Sequence, residues 1–187
     1  MVRRQVPCGD VGADKNVSLI LQTPRLMVRE FSLADVQALQ RICGDKRTMR
    51  QVGDGTTLGL ARCEEWIRVC LRDYAGKGYG AWAVYVQGVD AMAGYAGIVS
   101  AARRADPEII YAFQPQWWRQ GLAGELIPAL LDYGFSRCRL SRLVATVAPG
   151  NIASCRAVER AGMHCAGEEI EPDGHTMLIY AIEAPQA

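Results

Sequence analysis

Residues 117–131 read Trp-Trp-Arg-Gln-Gly-Leu-Ala-Gly-Glu-Leu-Ile-Pro-Ala-Leu-Leu, and Gly121, Ala123 and Gly124 leave the start of this segment nearly bare of side chain. Glycine in a helix interior costs about 1 kcal/mol relative to alanine, so glycines clustered where a helix begins need a reason. A helix N-terminus leaves up to four main-chain N–H groups unpaired, and its macrodipole adds partial positive charge, so it can hold an anion. Phosphate comes close to such amides only past small residues. Either the glycines serve an anion, or they let the helix pack tightly on a sheet. This stretch alone is compatible with both. Neither GxxxxGK[ST] nor GxGxxG is present, which argues against a nucleoside triphosphatase and a dinucleotide fold.

Further chemistry-bearing residues lie on either side. Glu108 opens the apolar run Pro-Glu-Ile-Ile-Tyr-Ala-Phe; a carboxylate there can act as a general base, or it is a strand-end glutamate in water. Asn151, Ser154, Val158 and Gly162 fall along one short helical segment, where Asn151 is a good N-cap in its own right. Cys155 is a candidate nucleophile, but the sequence places no histidine to activate it. The two histidines, His164 and His175, form no HExxH, and Cys155, His164 and Cys165 fit no zinc spacing. No metal is expected.

The elements that must position these residues follow from periodicity. Leu-Ile-Leu-Gln-Thr-Pro-Arg-Leu-Met-Val-Arg-Glu-Phe alternates around a Thr-Pro break and predicts one early strand. Ser32 and Asp35 form a capping box, and Leu33, Val36, Leu39 and Cys43 make a helix face that stops at Gly44. A Gly- and Thr-rich loop leads to a second helix with Leu60, Ile67, Leu71 and Tyr74 on one side, ended by Gly76 and Gly78. Two strands around Gly-Val-Asp form a hairpin, the run Glu-Ile-Ile-Tyr-Ala-Phe a further strand, and the glycine-bearing helix extends to about Arg137. Leu-Val-Ala-Thr-Val is a strand before the Asn151 helix, and two last strands flank Pro172-Asp173-Gly174. This order predicts a single mixed α/β domain over 18–187, preceded by a flexible lead-in over 1–17.

Composition bounds the class. The chain has 187 residues, 50% of them hydrophobic, and carries a net charge of +1 from 21 basic and 20 acidic residues. That balance offers no electrostatic footprint for nucleic acid or an anionic membrane, and no apolar run reaches the ~20 residues of a membrane span. Seven cysteines, odd in number and without a CxxC pair, suit reduced thiols in a cytoplasmic protein.

Taken together, TPRLMVREF at 23–31, GYGAWAV, AGYAGI, EIIYAF, WWRQGLAGEL, LDYGF and NIASCRAVERAGM resemble the GNAT superfamily of N-acetyltransferases, in that family's order along the chain. The likeness is greatest to the branch containing the ribosomal-protein alanine acetyltransferases. It implies a mostly antiparallel sheet of six to seven strands, splayed between the fourth and fifth and flanked by about four helices. It also implies acetyl-CoA as cosubstrate, with its pyrophosphate on the amides of Trp118, Arg119, Gln120, Gly121, Leu122, Ala123 and Gly124. The pantetheine arm would pair with the strand end at Ala112, Phe113 and Gln114, where an N–H near Phe113 would hold the developing oxyanion. Asn151 and Ser154 match positions facing that arm.

By the same resemblance Glu108 is the candidate base, while the tyrosine many members use as acid is replaced by Val158. Ser154 is left as the candidate donor, or as a residue orienting the sulfur. Tyr111 is expected to pack or to shape the acceptor slot. Pro128 departs from the pattern and predicts a kink. The acids Glu168, Glu169, Glu171 and Asp173 either steer a cationic acceptor or form a solvated hairpin, and acceptor pockets are built by variable loops such as 44–59. The implied activity is direct acetyl transfer to a primary amine, on a protein N-terminus or a small molecule, with a homodimer allowed by family habit. A catalytically silent acyl-CoA-binding module is the alternative, favoured by Val158.

Overall fold

The computed structural model describes residues 17–50, 52–100, 105–171 and 174–185; the lead-in expected over the first residues and Asp173 lie outside them, save for Val17. Eight strands form one sheet in the order β1-β2-β3-β4-β5-β6-β8-β7. They are β1 (Leu19–Gln22), β2 (Leu26–Arg29), β3 (Ala81–Val86), β4 (Met92–Ser100), β5 (Pro107–Phe113), β6 (Arg142–Val147), β7 (His164–Ile170) and β8 (Thr176–Glu183). The helices are α1 (Val36–Cys43), α2 (Lys46–Met49), α3 (Leu60–Lys77), α4 (Leu122–Ser136) and α5 (Ile152–Arg160).

The strand count exceeds the expected six to seven because the early segment is a hairpin, not one strand. Pro24 cannot donate to a ladder, and the chain reverses there: Thr23 N–H donates to the Leu26 carbonyl at 2.9 Å, and Leu26 N–H donates back to Thr23 Oγ1 at 3.0 Å. The helix count also exceeds the expected four. The Gly/Thr loop after Gly44 contains α2, whose start is capped by Asp45 accepting from Arg47 N–H at 2.7 Å. Gly76 lies inside α3; the helix ends at Gly78 in the left-handed conformation. The capping box of Ser32 and Asp35 forms as expected.

Side-chain alternation along the strands divides the interior. On one face Trp82, Val84, Ile98, Ile109 and Phe113 pack with Leu122, Leu126, Ile127 and Leu130 of α4. On the other, Ala81, Ala83, Tyr95 and Ala112 pack with Leu39 and Ile42 of α1 and Cys63, Ile67 and Cys70 of α3. Gly94 is required between β4 and β5, since a Cβ there would lie 2.2 Å from the Ala112 carbonyl oxygen. Helix α4 runs from Leu122 through Pro128 to Ser136. Pro128 and Gly124 are both exposed, so the missing hydrogen bond falls on the solvent side. Burying Leu126, Ile127 and Leu130 at about 1.5–3 kcal/mol each outweighs the ~3 kcal/mol proline penalty.

The sheet is antiparallel at every junction but one. β5 and β6 run parallel and meet at a single register pair, Glu108 with Val144. Beyond it the strands are unpaired, which is the splay expected between EIIYAF and LVATV.

Candidate active site

The site is organised by the end of β5. Gln114 N–H donates to the Ala93 carbonyl at 2.9 Å, and Gly94 stands opposite Phe113 in the same ladder. Main-chain polar groups alternate sides along a strand, so the N–H and C=O of Phe113, and of Tyr111 before it, point away from β4 toward the splay. The Phe113 carbonyl is taken by the indole of Trp118, whose Nε1 donates to it at 2.7 Å. Trp118 therefore ties the strand end to the glycine-bearing turn. Gln114 is also anchored through its side chain, which donates to the Met92 carbonyl at 2.9 Å.

A single 3-10 turn, Pro115–Trp117, leads from the strand into that turn. Arg119 has φ +59° and Gly121 φ +74°, both left-handed. Gly121 takes this conformation without strain; Arg119 takes it at a cost of roughly 1–2 kcal/mol, which the surrounding contacts must offset. Residues 118–121 and Gly124 are exposed, and no side chain caps the helix at Gly121. A Cβ on Gly121 would meet only Arg25 Nη2, 3.7 Å away, and one on Gly124 would meet nothing within 4 Å. The Gln120 side chain folds back, Nε2 donating to the Gln116 carbonyl at 2.8 Å. The start of α4, with Leu122 buried beneath and Ala123 half-buried, thus presents its dipole and amides to open space. The residues present fit a diphosphate.

Helix α5 faces the other arm of the splay. Asn151 caps it, its side-chain oxygen accepting from Ser154 N–H at 3.2 Å. Ser154 Oγ lies 2.8 Å from the Tyr111 hydroxyl. Burial pushes the Tyr111 phenol above its ordinary value, against the lowering effect of the Ser154 hydrogen bond, so it stays protonated near neutral pH. Val158 is fully buried in the core. Cys155 is buried as well.

Glu108 stands apart from these groups. Its Oε1 accepts from Thr146 N–H at 3.1 Å and from the Thr146 hydroxyl, joining β5 to β6 just where their pairing ends. It is three residues from Tyr111, about 10 Å along the strand, and alternation assigns their side chains to opposite faces of the sheet.

Three contacts have no signature in the sequence: Tyr111 with Ser154, Glu108 with Thr146, and Arg25 with Glu125 at the head of α4. Of the hairpin acids, Glu168 is exposed and Glu169 and Glu171 half-exposed. Trp82 is fully buried in the core, and Tyr85, half-buried, hydrogen-bonds with Arg29 and the buried Asp35. A surface hollow of about 470 Å³ between Leu33, Val36, Leu60 and Glu64 lies on the α1–α3 side and includes none of the expected site residues. No described helix is long and apolar enough to cross a membrane.

Residues 25–164 match the family described as Acetyltransferase (GNAT) domain. The chain belongs to the GNAT acetyltransferase family. Among its relatives, the uncharacterized N-acetyltransferase YnaD of Bacillus subtilis is 29% identical over 147 residues, covering 79% of this chain and 84% of YnaD. A GNAT-family acetyltransferase from Bacillus anthracis superposes with a TM-score of 0.73 at 24% identity, over 89% of this chain and 98% of that one. RimL, a ribosomal L7/L12 alpha-N-protein acetyltransferase solved in complex with coenzyme A, superposes at 0.76 with 17% identity, over 89% of this chain and 98% of its own. The protein is accordingly a GNAT-type N-acetyltransferase, with the family's open, mostly antiparallel sheet.

Proposed function

We propose that this GNAT protein transfers an acetyl group from acetyl-CoA to a primary amine by direct attack within a ternary complex. The observation that carries the reading is the turn at 118–121, exposed and without a side-chain cap, beside the end of β5 that has parted from β6. Amides of Gly121, Leu122, Ala123 and Gly124 hold the diphosphate, with Trp118, Arg119 and Gln120 forming the approach and the Arg119 guanidinium adding charge. The side of the strand end at Phe113 and Gln114 that faces the splay receives the pantetheine arm, and the Phe113 N–H, which points to that side, faces the developing oxyanion. Asn151 and Ser154 line the opposite side. The coenzyme A bound to RimL, a protein of the same fold, supports the choice of cosubstrate.

The chemistry divides between the faces of the sheet. The amine must lose a proton to attack, since an amine of pKa ~10.4 is mostly charged at neutral pH. Glu108 is the base, taking the proton directly or through water. Ser154, hydrogen-bonded to Tyr111, donates to or orients the departing sulfur. Cys155, buried and without an activating partner in this scheme, forms no acyl-enzyme. The acceptor is a protein N-terminus or a small cationic amine, drawn by the hairpin acids Glu168, Glu169 and Glu171.

Val158, buried where many members carry a tyrosine, favours a second reading: a silent acyl-CoA-binding module. Release of free thiol from acetyl-CoA over a panel of amines and N-terminal peptides separates the two. Turnover with any acceptor supports the transferase; tight acetyl-CoA binding with no thiol release across the panel supports the silent module.

A further inference from the structure

The β1–β2 turn grips the head of α4 from a hundred residues away. Arg25 donates from its main-chain N–H to Glu125 Oε1 at 2.8 Å and from Nε to Oε2 at 2.6 Å, and the Thr23 hydroxyl also donates to Oε1. Arg25 Nη1 donates to the Gln120 carbonyl at 2.8 Å. One guanidinium therefore holds both a carboxylate in the first turn of the helix and the peptide that begins the phosphate turn.

Each hold has a consequence for anion binding. In a planar trans peptide the C=O and the following N–H point in opposite directions. Fixing the Gln120 carbonyl on Arg25 aims the Gly121 N–H the other way, away from Arg25 and the β1–β2 turn. Glu125 poses a conflict, because a carboxylate one turn into a helix is drawn to the same amides that would bind phosphate. Pairing with Arg25 and Thr23 fills both carboxylate oxygens and keeps them on the β1–β2 side. The helix end is then open to an external anion.

We propose that Arg25 is a positioning residue for the diphosphate turn, aiming the Gly121 amide away from the β1–β2 turn and holding the Glu125 carboxylate off the helix end. This rests on the turn being the acetyl-CoA phosphate site, so the test separates the two claims. Calorimetry compares coenzyme A with pantetheine, which lacks the diphosphate, on wild type, R25A, R25K and the R25A/E125Q double variant, each checked for a folded thermal transition. R25A weakens coenzyme A binding roughly tenfold to a hundredfold, the size of a charge-assisted hydrogen bond, and leaves pantetheine binding unchanged. R25K falls between, since an ammonium cannot hold both acceptors in a fork. R25A/E125Q binds coenzyme A better than R25A, because the freed carboxylate is gone. If R25A does not fold, R25K carries the comparison. Wild-type affinity in a folded variant, or equal loss for both ligands, overturns the role of Arg25 alone. Wild type failing to bind coenzyme A overturns the phosphate site and this role with it.

Discussion

The Tyr111 hydroxyl and Ser154 Oγ lie 2.8 Å apart, bridging β5 to α5 across the splayed part of the sheet. Two side chains separated by 43 residues thus meet beside the strand end proposed to receive the thioester. Replacing Tyr111 by phenylalanine removes one neutral hydrogen bond, worth about 0.5–1.5 kcal/mol. Steady-state kinetics of Y111F are expected to show kcat lowered roughly threefold to tenfold with the KM for acetyl-CoA little changed. Because burial keeps this phenol protonated, the variant adds and removes no inflection in the pH–rate profile near neutrality. An unchanged kcat would remove Tyr111 and Ser154 as a working pair.

Glu108 has a structural duty, accepting from Thr146 on β6, and a proposed chemical one. Two variants separate them. E108Q lowers the rate chiefly below the pKa of the acceptor amine, where a base is needed. T146V keeps the wild-type pH profile but loses about 1 kcal/mol, a fall in Tm of roughly 2–4 °C for a domain of this size. Identical pH–rate profiles for wild type and E108Q would exclude Glu108 as base.

Substituting glutamate for Gly121 places a negative charge at the proposed diphosphate and forces a side chain onto φ +74°, a strain of roughly 1–2 kcal/mol. The variant is expected to fold, since its Cβ meets only the tip of Arg25, and to lose acetyl-CoA binding by calorimetry. Retained affinity would move the phosphate site elsewhere.

Asp35 is nearly buried and receives Arg29 at 2.8 Å on each carboxylate oxygen. Burial alone raises its pKa, but hydrogen bonds from Arg29 and the Ser32 amide prevail and hold it below the ordinary carboxylate range. The folded value is the lower one, so the stabilisation is present above the unfolded pKa near 4 and disappears as pH falls through the folded value. D35N strands the Arg29 charge and is expected to cost about 2–4 kcal/mol at pH 7, less than a fully buried pair would. Urea unfolding between pH 3 and 7 checks this: the gap between wild type and D35N narrows on the acid side. A gap independent of pH would show that the carboxylate's charge is not what stabilises.

What the sequence reveals here is mostly local. The capping box at Ser32 and Asp35 and the small-residue start of α4 depend on neighbours within one turn and form where their residues predict; of the two glycines expected to end α3, Gly78 does so and Gly76 stays helical. Alternation alone makes the Thr-Pro-Arg segment a break within one strand, because the Thr23 contacts that reverse the chain are a matter of geometry. Helix α2 was hidden by surrounding glycines, although Asp45 carried the signal of an N-cap. The site's cross-links could not be read at all. Arg25 with Glu125, Glu108 with Thr146 and Tyr111 with Ser154 each join segments that only the sheet order brings together, and no periodicity encodes such pairings. Asn151 was legible as a cap, and it caps.

Above all, we propose that the amides at the head of α4 bind the cosubstrate's diphosphate. Titrating isotopically labelled protein with coenzyme A, and following main-chain amide resonances, tests this directly. Gly121, Leu122, Ala123 and Gly124 are expected to shift most, in step with saturation, and pantetheine is expected to leave them in place. Large shifts confined to other parts of the chain, with these four amides unmoved by coenzyme A, would contradict it.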